Sequence, residues 1–332
     1  MSPLNRILVG DARTTLRSLP SHFVDCVVTS PPYFRLRNYQ HPGQLGLERT
    51  VEEWVQNLRA VMCEVERVLV PTGSVWLNLG DSYSTGGPVT AKSLLLGPER
   101  LALALIEDGW LIRNKVIWAK RNPMPSAARD RLTCSWEVIY FLTREPHFFF
   151  DLDAIRQPHT SPKQPVRSAR GWSVPPEWRV ASSSNSGLDA LAARGQVGHP
   201  LGKNPGDVWR LSTASYRGPH HAVFPVALAE RPILAGSPER RCARCHAPWR
   251  RSTLRQLGHL AVRGELQPSC RCPSSGEPAV VLDPFLGSGT TAIAAERHGR
   301  DWIGVELHAD FAGSAERRIA DARATDEQRR AA

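Results

Sequence analysis

Apolar positions along this chain switch between two spacings. Residues 7–9 and 25–29 are short runs rich in β-branched residues, the pattern of strands buried in a parallel sheet. Residues 51–69 place Trp54, Val55, Leu58, Val61, Met62 and Val65 at intervals of three and four, the stripe of an amphipathic helix. Pro71 and Gly73 are expected to end that helix. A strand over 73–79 follows, closed by the polar turn Gly80-Asp81-Ser82. The spacing then predicts a second helix over 98–108 and strands over 111–118 and 137–143. The last stretch reads strand 279–283, helix 290–298, strand 302–306 and helix 309–322, with a frayed tail after about residue 324. This alternation predicts an α/β fold with a mostly parallel doubly wound sheet.

Two segments break the rhythm. From about 151 to 221 periodicity dissolves into Pro, Ser, Gly and Arg, interspersed with Trp172, Trp178 and Trp209. A plain linker would rarely carry such large apolar residues. A short helix is expected at 224–229, before an arginine-rich, cysteine-bearing insert at 240–273. The chain therefore divides into 1–150, an irregular 151–222, a unit formed by 223–239 with 274–324, and the insert 240–273.

With 332 residues, a large α/β domain with insertions has enough length to bury a core. The formal net charge of +10 suits a polyanion, since each neutralised phosphate releases counterions. No apolar run is long enough to span a bilayer, so no membrane partner is expected. The N-terminal residues lack a signal-peptide pattern, and a cytoplasmic location is expected. Seven cysteines, an odd number, argue against a disulfide framework.

Two motifs carry chemistry. Residues 280–291 join a strand ending in Asp283 to Gly287, Gly289 and a Thr290-Thr291 helix start. Glycines let backbone approach a ligand, and a helix N-terminus offers free N–H groups. Glu306 ends the next strand, where a carboxylate typically takes ribose hydroxyls. A kinase-type phosphate loop is excluded, because no Gly-Lys-Ser/Thr follows; a nicotinamide cofactor remains open from this half alone. The Gly10-Asp11-Ala12 turn is a second candidate edge of the same pocket. At the other end, residues 27–33 lead a strand into Ser30-Pro31-Pro32-Tyr33. An exocyclic amino nitrogen of a base is a poor nucleophile, because its lone pair is delocalised into the ring. Acceptors on its N–H bonds localise that pair. The Ser30 oxygen and a carbonyl of the rigid Pro31-Pro32 turn supply them, and Tyr33 can stack on a base swung out of the duplex.

Thr29-Ser30-Pro31-Pro32-Tyr33 resembles the catalytic motif of the DNA amino-methyltransferases, and 283–290 resembles their S-adenosylmethionine motif. With the catalytic motif first and the cofactor motif last, the order is similar to the β-group circular permutation. The resemblance extends to Gly10-Asp11, to 76–83, 136–140 and Phe224-Pro225. It implies a site-specific enzyme acting on double-stranded DNA. Its cofactor site takes in Asp11 at the adenine, with Ala12 beside it. Phe224, Pro225, Asp283, Gly287 and Gly289 then lie along methionine and ribose, with Glu306 on the ribose. Thr29, Pro284, Phe285, Ser288 and Thr290 complete that wall. Ser30, Pro31, Pro32 and Tyr33 hold the target base. The Ser-Pro-Pro-Tyr form is typical of cytosine-N4 members, with adenine N6 as the alternative and a non-catalytic DNA-binding protein as the rival of another class. Cytosine-C5 transfer is disfavoured, since it uses a thiolate, usually in a Pro-Cys turn, and no Pro-Cys occurs. Residues 1–150 then form the catalytic half, 151–222 the target-recognition region, and 223–239 with 274–324 the cofactor half. A homodimer and a cognate restriction endonuclease are compatible partners. Arg35, Arg37 and Asn38 either border the base pocket or belong to a solvated loop.

Cys242, Cys245, Cys270 and Cys272 form two pairs that fit tetrahedral zinc, with four reduced, unliganded thiols as the alternative. His246 and His259 are expected at the surface. In this reading the metal folds only the insert, and removing it loosens 240–273, weakens DNA binding and leaves cofactor affinity nearly unchanged.

Overall fold

The computed structural model describes residues 3–159, 199, 201–216, 223–255 and 261–331. They divide into two compact units. The larger holds residues 1–151, 206–250 and 267–332; the smaller holds 152–205 and 251–266. The insert's cysteines thus belong to the larger unit, and its middle to the smaller.

The larger unit is built on an eight-stranded sheet. In chain order its strands are β1 (Arg6–Val9), β2 (Val24–Thr29), β3 (Leu69–Leu79), β4 (Leu111–Lys120), β5 (Trp136–Thr143), β6 (Val208–Leu211), β11 (Val280–Asp283) and β12 (Asp301–Glu306). They lie in the order β1-β12-β11-β2-β3-β5-β4-β6. Every pairing is parallel except the two made by β5. β5 reverses because the chain leaves β4 and re-enters along the same sheet edge through the loop 121–135. β2 is buried along its whole length, Asp25 and Thr29 included, around the apolar run Cys26-Val27-Val28.

Helix α2 (Val51–Val68) covers one face. Thr50 caps it by accepting from the Glu53 N–H, and Glu52 and Glu53 sit favourably in its first turn. Trp54, Leu58, Met62 and Val65 face the core beside Leu101 and Leu105 of α3 (Gly97–Glu107). Pro71 and Gly73 do not end α2. The chain passes from Val68 straight into β3, and both residues lie inside that strand, where the β2–β3 register shifts between the pairs Val24–Leu69 and Cys26–Ser74. They mark a bulge, which disrupts a ladder much as a helix stop would in sequence.

The remaining helices are α1 (Ala12–Leu16), α4 (Val226–Gly236), α5 (Thr290–Arg297) and α6 (Ala309–Ala331). α4 runs beyond the short helix expected at 224–229, and α6 continues well past 324, so the tail is helical rather than frayed. Within 206–216, where irregular chain was expected, β6 extends the sheet beside β4. Its Trp209 is buried and stacks on Trp76 at 6.1 Å, so this tryptophan belongs to the core. Trp172 and Trp178 lie outside the described residues. The insert forms β7 (Arg241–Cys242) paired with β10 (Gly276–Glu277), and a second two-stranded sheet of β8 (Trp249–Arg255) and β9 (Ala261–Pro268). Among the described residues no helix is long and apolar enough to cross a membrane.

Candidate active site

The sheet's strand order reverses between β11 and β2. From β11 the chain crosses through α5 to β12 on one side; from β2 it crosses through α2 to β3 on the other. Ligands of doubly wound sheets bind outside the carboxyl ends of the strands at such a point. A cleft opens there. Four strand ends line it: Gly10, Asp11 and Ala12 after β1; Ser30 and Pro32 after β2; Pro284, Phe285 and Gly287 after β11; Glu306 at the end of β12.

Beneath the cleft, Asp283 is buried and fully engaged. One carboxylate oxygen accepts from the Thr29 hydroxyl at 2.6 Å and the Phe285 N–H at 3.0 Å; the other accepts from the Thr291 hydroxyl at 2.7 Å. Burial pushes its pKa up to about 6 against these donors. Asp283 and Thr29 therefore shape the turn rather than line the cleft. Glu306 does line it. It accepts from the Gly287 N–H at 2.8 Å and the His308 N–H at 3.0 Å, and burial raises its pKa. Asp11 caps α1 through the Thr14 N–H.

Ser288, Gly289 and Thr290 lie on another side of the same turn. The Arg318 guanidinium donates to the Ser288 carbonyl, the Ser288 hydroxyl and the Thr290 hydroxyl at 2.8–2.9 Å. Gly289 holds φ at +83°, and a side chain there would press on Ile319. Phe224 and Pro225 lead into α4 and are not among the cleft-lining residues.

The Ser30-Pro31-Pro32-Tyr33 turn is fixed from below. Trp54, fully buried in α2, donates its indole N–H to the Pro32 carbonyl at 3.0 Å. Tyr33 donates its phenol to Glu137 at 2.6 Å, and burial followed by the Glu137 charge raises its pKa well above the usual tyrosine range. Lys120 pairs with the other Glu137 oxygen at 2.5 Å. Asn78 Nδ2 lies 2.7 Å from the Tyr33 oxygen, 2.9 Å from Glu137 and 3.2 Å from Ser30 Oγ. Ser30 Oγ is 3.1 Å from the Tyr33 oxygen. Since the phenol proton is committed to Glu137, the serine proton points to the phenol oxygen. The remaining Ser30 lone pair is then left as an acceptor, and Ser30 lines the cleft.

Sequence reasoning gave Asn78, Glu137 and Lys120 no role. Asn78 and Glu137 fall in segments that share the resemblance, but only the β3–β5–β4 register brings them beside Tyr33. Tyr39, His41, Gln44, Leu45, His308 and Phe311 also line the cleft unforeseen. Gln44 ties its loop by accepting from the Tyr39 N–H at 2.6 Å, and His308 stacks on Phe311 at 4.6 Å. Of the loop cations, Arg35 is exposed and donates to the Arg49 carbonyl at 2.8 Å, while Arg37 and Asn38 are exposed.

Away from the cleft, the sulfurs of Cys242, Cys245, Cys270 and Cys272 all lie within 4.8 Å of one another. His246 is not part of that group; its ring nitrogen lies 2.9 Å from the His22 carbonyl. His259 lies outside the described residues.

A cleft at this point of such a sheet is the architecture of the Rossmann-like methyltransferases. Comparison with known proteins narrows that class. A family model described as DNA methylase matches residues 24–317. The chain is 32% identical over 337 residues to the type II methyltransferase M.SmaI of Serratia marcescens, covering 95% of this chain and 90% of that protein. It is 30% identical to M.SfiI of Streptomyces fimbriatus, covering 92% and 88%. Among solved structures it is similar to the PvuII DNA methyltransferase (cytosine-N4-specific), with a TM-score of 0.58 at 19% identity over 95% of this chain and 90% of that one. It is also similar to a Thermus thermophilus protein solved in complex with S-adenosyl-L-methionine, with a TM-score of 0.54 at 25% identity over 96% and 93%. The chain belongs to the N6/N4 DNA methylase family and is a DNA methyltransferase.

Proposed function

We propose that the protein methylates the N4 amino group of a flipped cytosine in duplex DNA. The observation that carries this reading is Ser30 Oγ, held at the end of β2 as an acceptor on the wall of the cleft. S-adenosyl-L-methionine, present in the Thermus relative, fits the cleft by chemistry. Glu306 and Asp11 offer carboxylates for ribose and adenine, and Phe285 and Phe311 offer apolar faces. Bound there, the cofactor supplies an electrophilic methyl group to the amino nitrogen without a covalent enzyme intermediate.

The protein's own residues do the rest. Trp54 occupies the Pro32 carbonyl, so the Pro31 carbonyl is the backbone acceptor that joins Ser30 Oγ in drawing on the two N–H bonds. As nitrogen gains charge, its proton passes to Ser30 Oγ. The serine proton moves to the Tyr33 oxygen and the phenol proton to Glu137, whose charge Lys120 holds in place. The relatives named type II methyltransferases favour a role beside a cognate restriction endonuclease.

Expression in a host without DNA modification, followed by base-resolved sequencing, tests the reading. N4-methylcytosine at a defined site is the expected result. N6-methyladenine would transfer the same machinery to adenine, and unmodified DNA despite folded, cofactor-binding protein would overturn it.

A further inference from the structure

The four-cysteine group lies at the far end of the strands that carry the chemistry. β2 enters the sheet at Val24 and delivers Ser30 at its other end. β11 enters at Val280 and delivers Asp283. The cysteines attach to the entry end through Arg241, next to Cys242, and through His246, whose ring nitrogen lies 2.9 Å from the His22 carbonyl; Arg241 is the buried one of the two. Arg241 is 1% exposed. Its guanidinium donates to the Phe23 carbonyl, to Asp25 at 2.9 Å and to Glu277 at 2.9 Å. The same Asp25 oxygen accepts from the Val280 N–H at 2.8 Å. Asp25 and Arg241 together tie the first turns of β2 and β11, and Arg241 is held in place by the two-residue pairing of β7 with β10.

A two-residue ladder is a weak support for a buried cation. The cysteines sit where that support is needed. Cys242 is the β7 residue paired with Gly276, and Cys270 and Cys272 come just before β10. The chain from Cys242 turns back tightly, with the His246 N–H donating to the Cys242 carbonyl at 2.9 Å and the Cys242 N–H to the Ala247 carbonyl at 2.9 Å. The Arg244 N–H points at Cys242 Sγ at 3.4 Å. Four thiolates around a tetrahedral zinc stand about 2.3 Å from the metal and so about 3.8 Å from one another, a spacing inside the 4.8 Å within which these four sulfurs lie. Two disulfides would require separate close pairs; all four cysteines are free.

We propose that these cysteines bind one zinc ion, and that the ion braces the methyltransferase sheet itself through Arg241 and Asp25, at the edge opposite the catalytic turn. The metal takes no part in methyl transfer. It locks β7 to β10, β7 presents Arg241, and Arg241 neutralises Asp25 where β2 meets β11. Removing the metal therefore loosens the main sheet, and not only the insert, contrary to the sequence-level expectation. The choice of target base does not enter.

The test uses the full chain, purified without chelator. Elemental analysis is expected to give one zinc per chain. Stripping the metal is expected to lower the main thermal unfolding transition and weaken S-adenosylmethionine binding several-fold, with both recovered on adding zinc back. Arg241→Met is expected to keep its zinc and still lower the main transition. Substoichiometric metal, or stoichiometric iron in its place, would overturn the zinc site. Full zinc with an unchanged main transition after stripping would overturn the brace. If Arg241→Met is insoluble, stripping and reloading the native chain decides the matter alone.

Discussion

At the scale of single residues, the direction of two protons defines the site. Glu137 fixes the phenol proton, the phenol oxygen fixes the serine proton, and Ser30 Oγ is left as an acceptor. Ser30→Ala removes a contact that strengthens as the nitrogen becomes nucleophilic. It should lower kcat by about 10²–10³-fold, the usual scale for one positioned transition-state hydrogen bond. Affinity for S-adenosylmethionine, read by calorimetry, should stay unchanged. Glu137→Gln keeps the shape but places an amide where the phenol proton goes; kcat should fall roughly 10²-fold, and wild-type turnover would remove Glu137 from the relay. Gly80→Ala tests the geometry without touching the network's chemistry. A methyl there would stand 2.6 Å from the Tyr33 ring, so it should swing the phenol off Glu137 and reduce kcat more than it alters cofactor affinity. Ser30 and Tyr33 are legible in sequence, because a rigid Pro-Pro turn after a buried strand has few other uses. Asn78, Glu137 and Lys120 are not, because nothing local marks which polar residue of a strand will face a partner three strands of chain away.

At the scale of elements, the turn from β11 to α5 stores a pH dependence. Asp283 titrates at about 6 in the fold because it is buried, against about 3.9 in an unfolded chain. A raised carboxyl pKa gives stability that is complete below about pH 4 and lost as pH rises through 6. The shift of about two units corresponds to roughly 3 kcal/mol. Asp283→Asn should abolish that slope. The Thr291 hydroxyl can turn its proton to the Val28 carbonyl, 3.2 Å away, and accept from the new amide. Thermal unfolding from pH 4 to 8 checks this. The variant should match wild type at pH 4 and exceed it above pH 6, and parallel curves would refute the account. Elements were legible wherever one periodicity persisted, as in α2 and β2. Pro71 and Gly73 misled because a bulge and a helix stop use the same residues. The cleft loop with Tyr39 and His41 has no period to read, since its own Gln44 side chain holds it in place of a backbone ladder.

At the scale of the whole molecule, the cleft belongs to neither end of the chain. Thr29 and Asp283 are hydrogen-bonded across 254 positions, and β2 and β11 lie side by side. The order of the two motifs predicted that the ends must meet. It did not predict that β6 would close the other margin of the sheet against β4. Every strand of the sheet precedes residue 144 or follows residue 207. Two separately expressed polypeptides, 1–198 and 199–332, would each carry half of the cofactor wall and only one of the pairing strands. Neither should bind S-adenosylmethionine alone, and mixing or co-expression should restore both binding and DNA modification; tight binding by one fragment would count against the shared cleft. Seen this way, the junction of β2 with β11 is a complementation interface, and methylation can be made conditional on two gene products being present in the same cell.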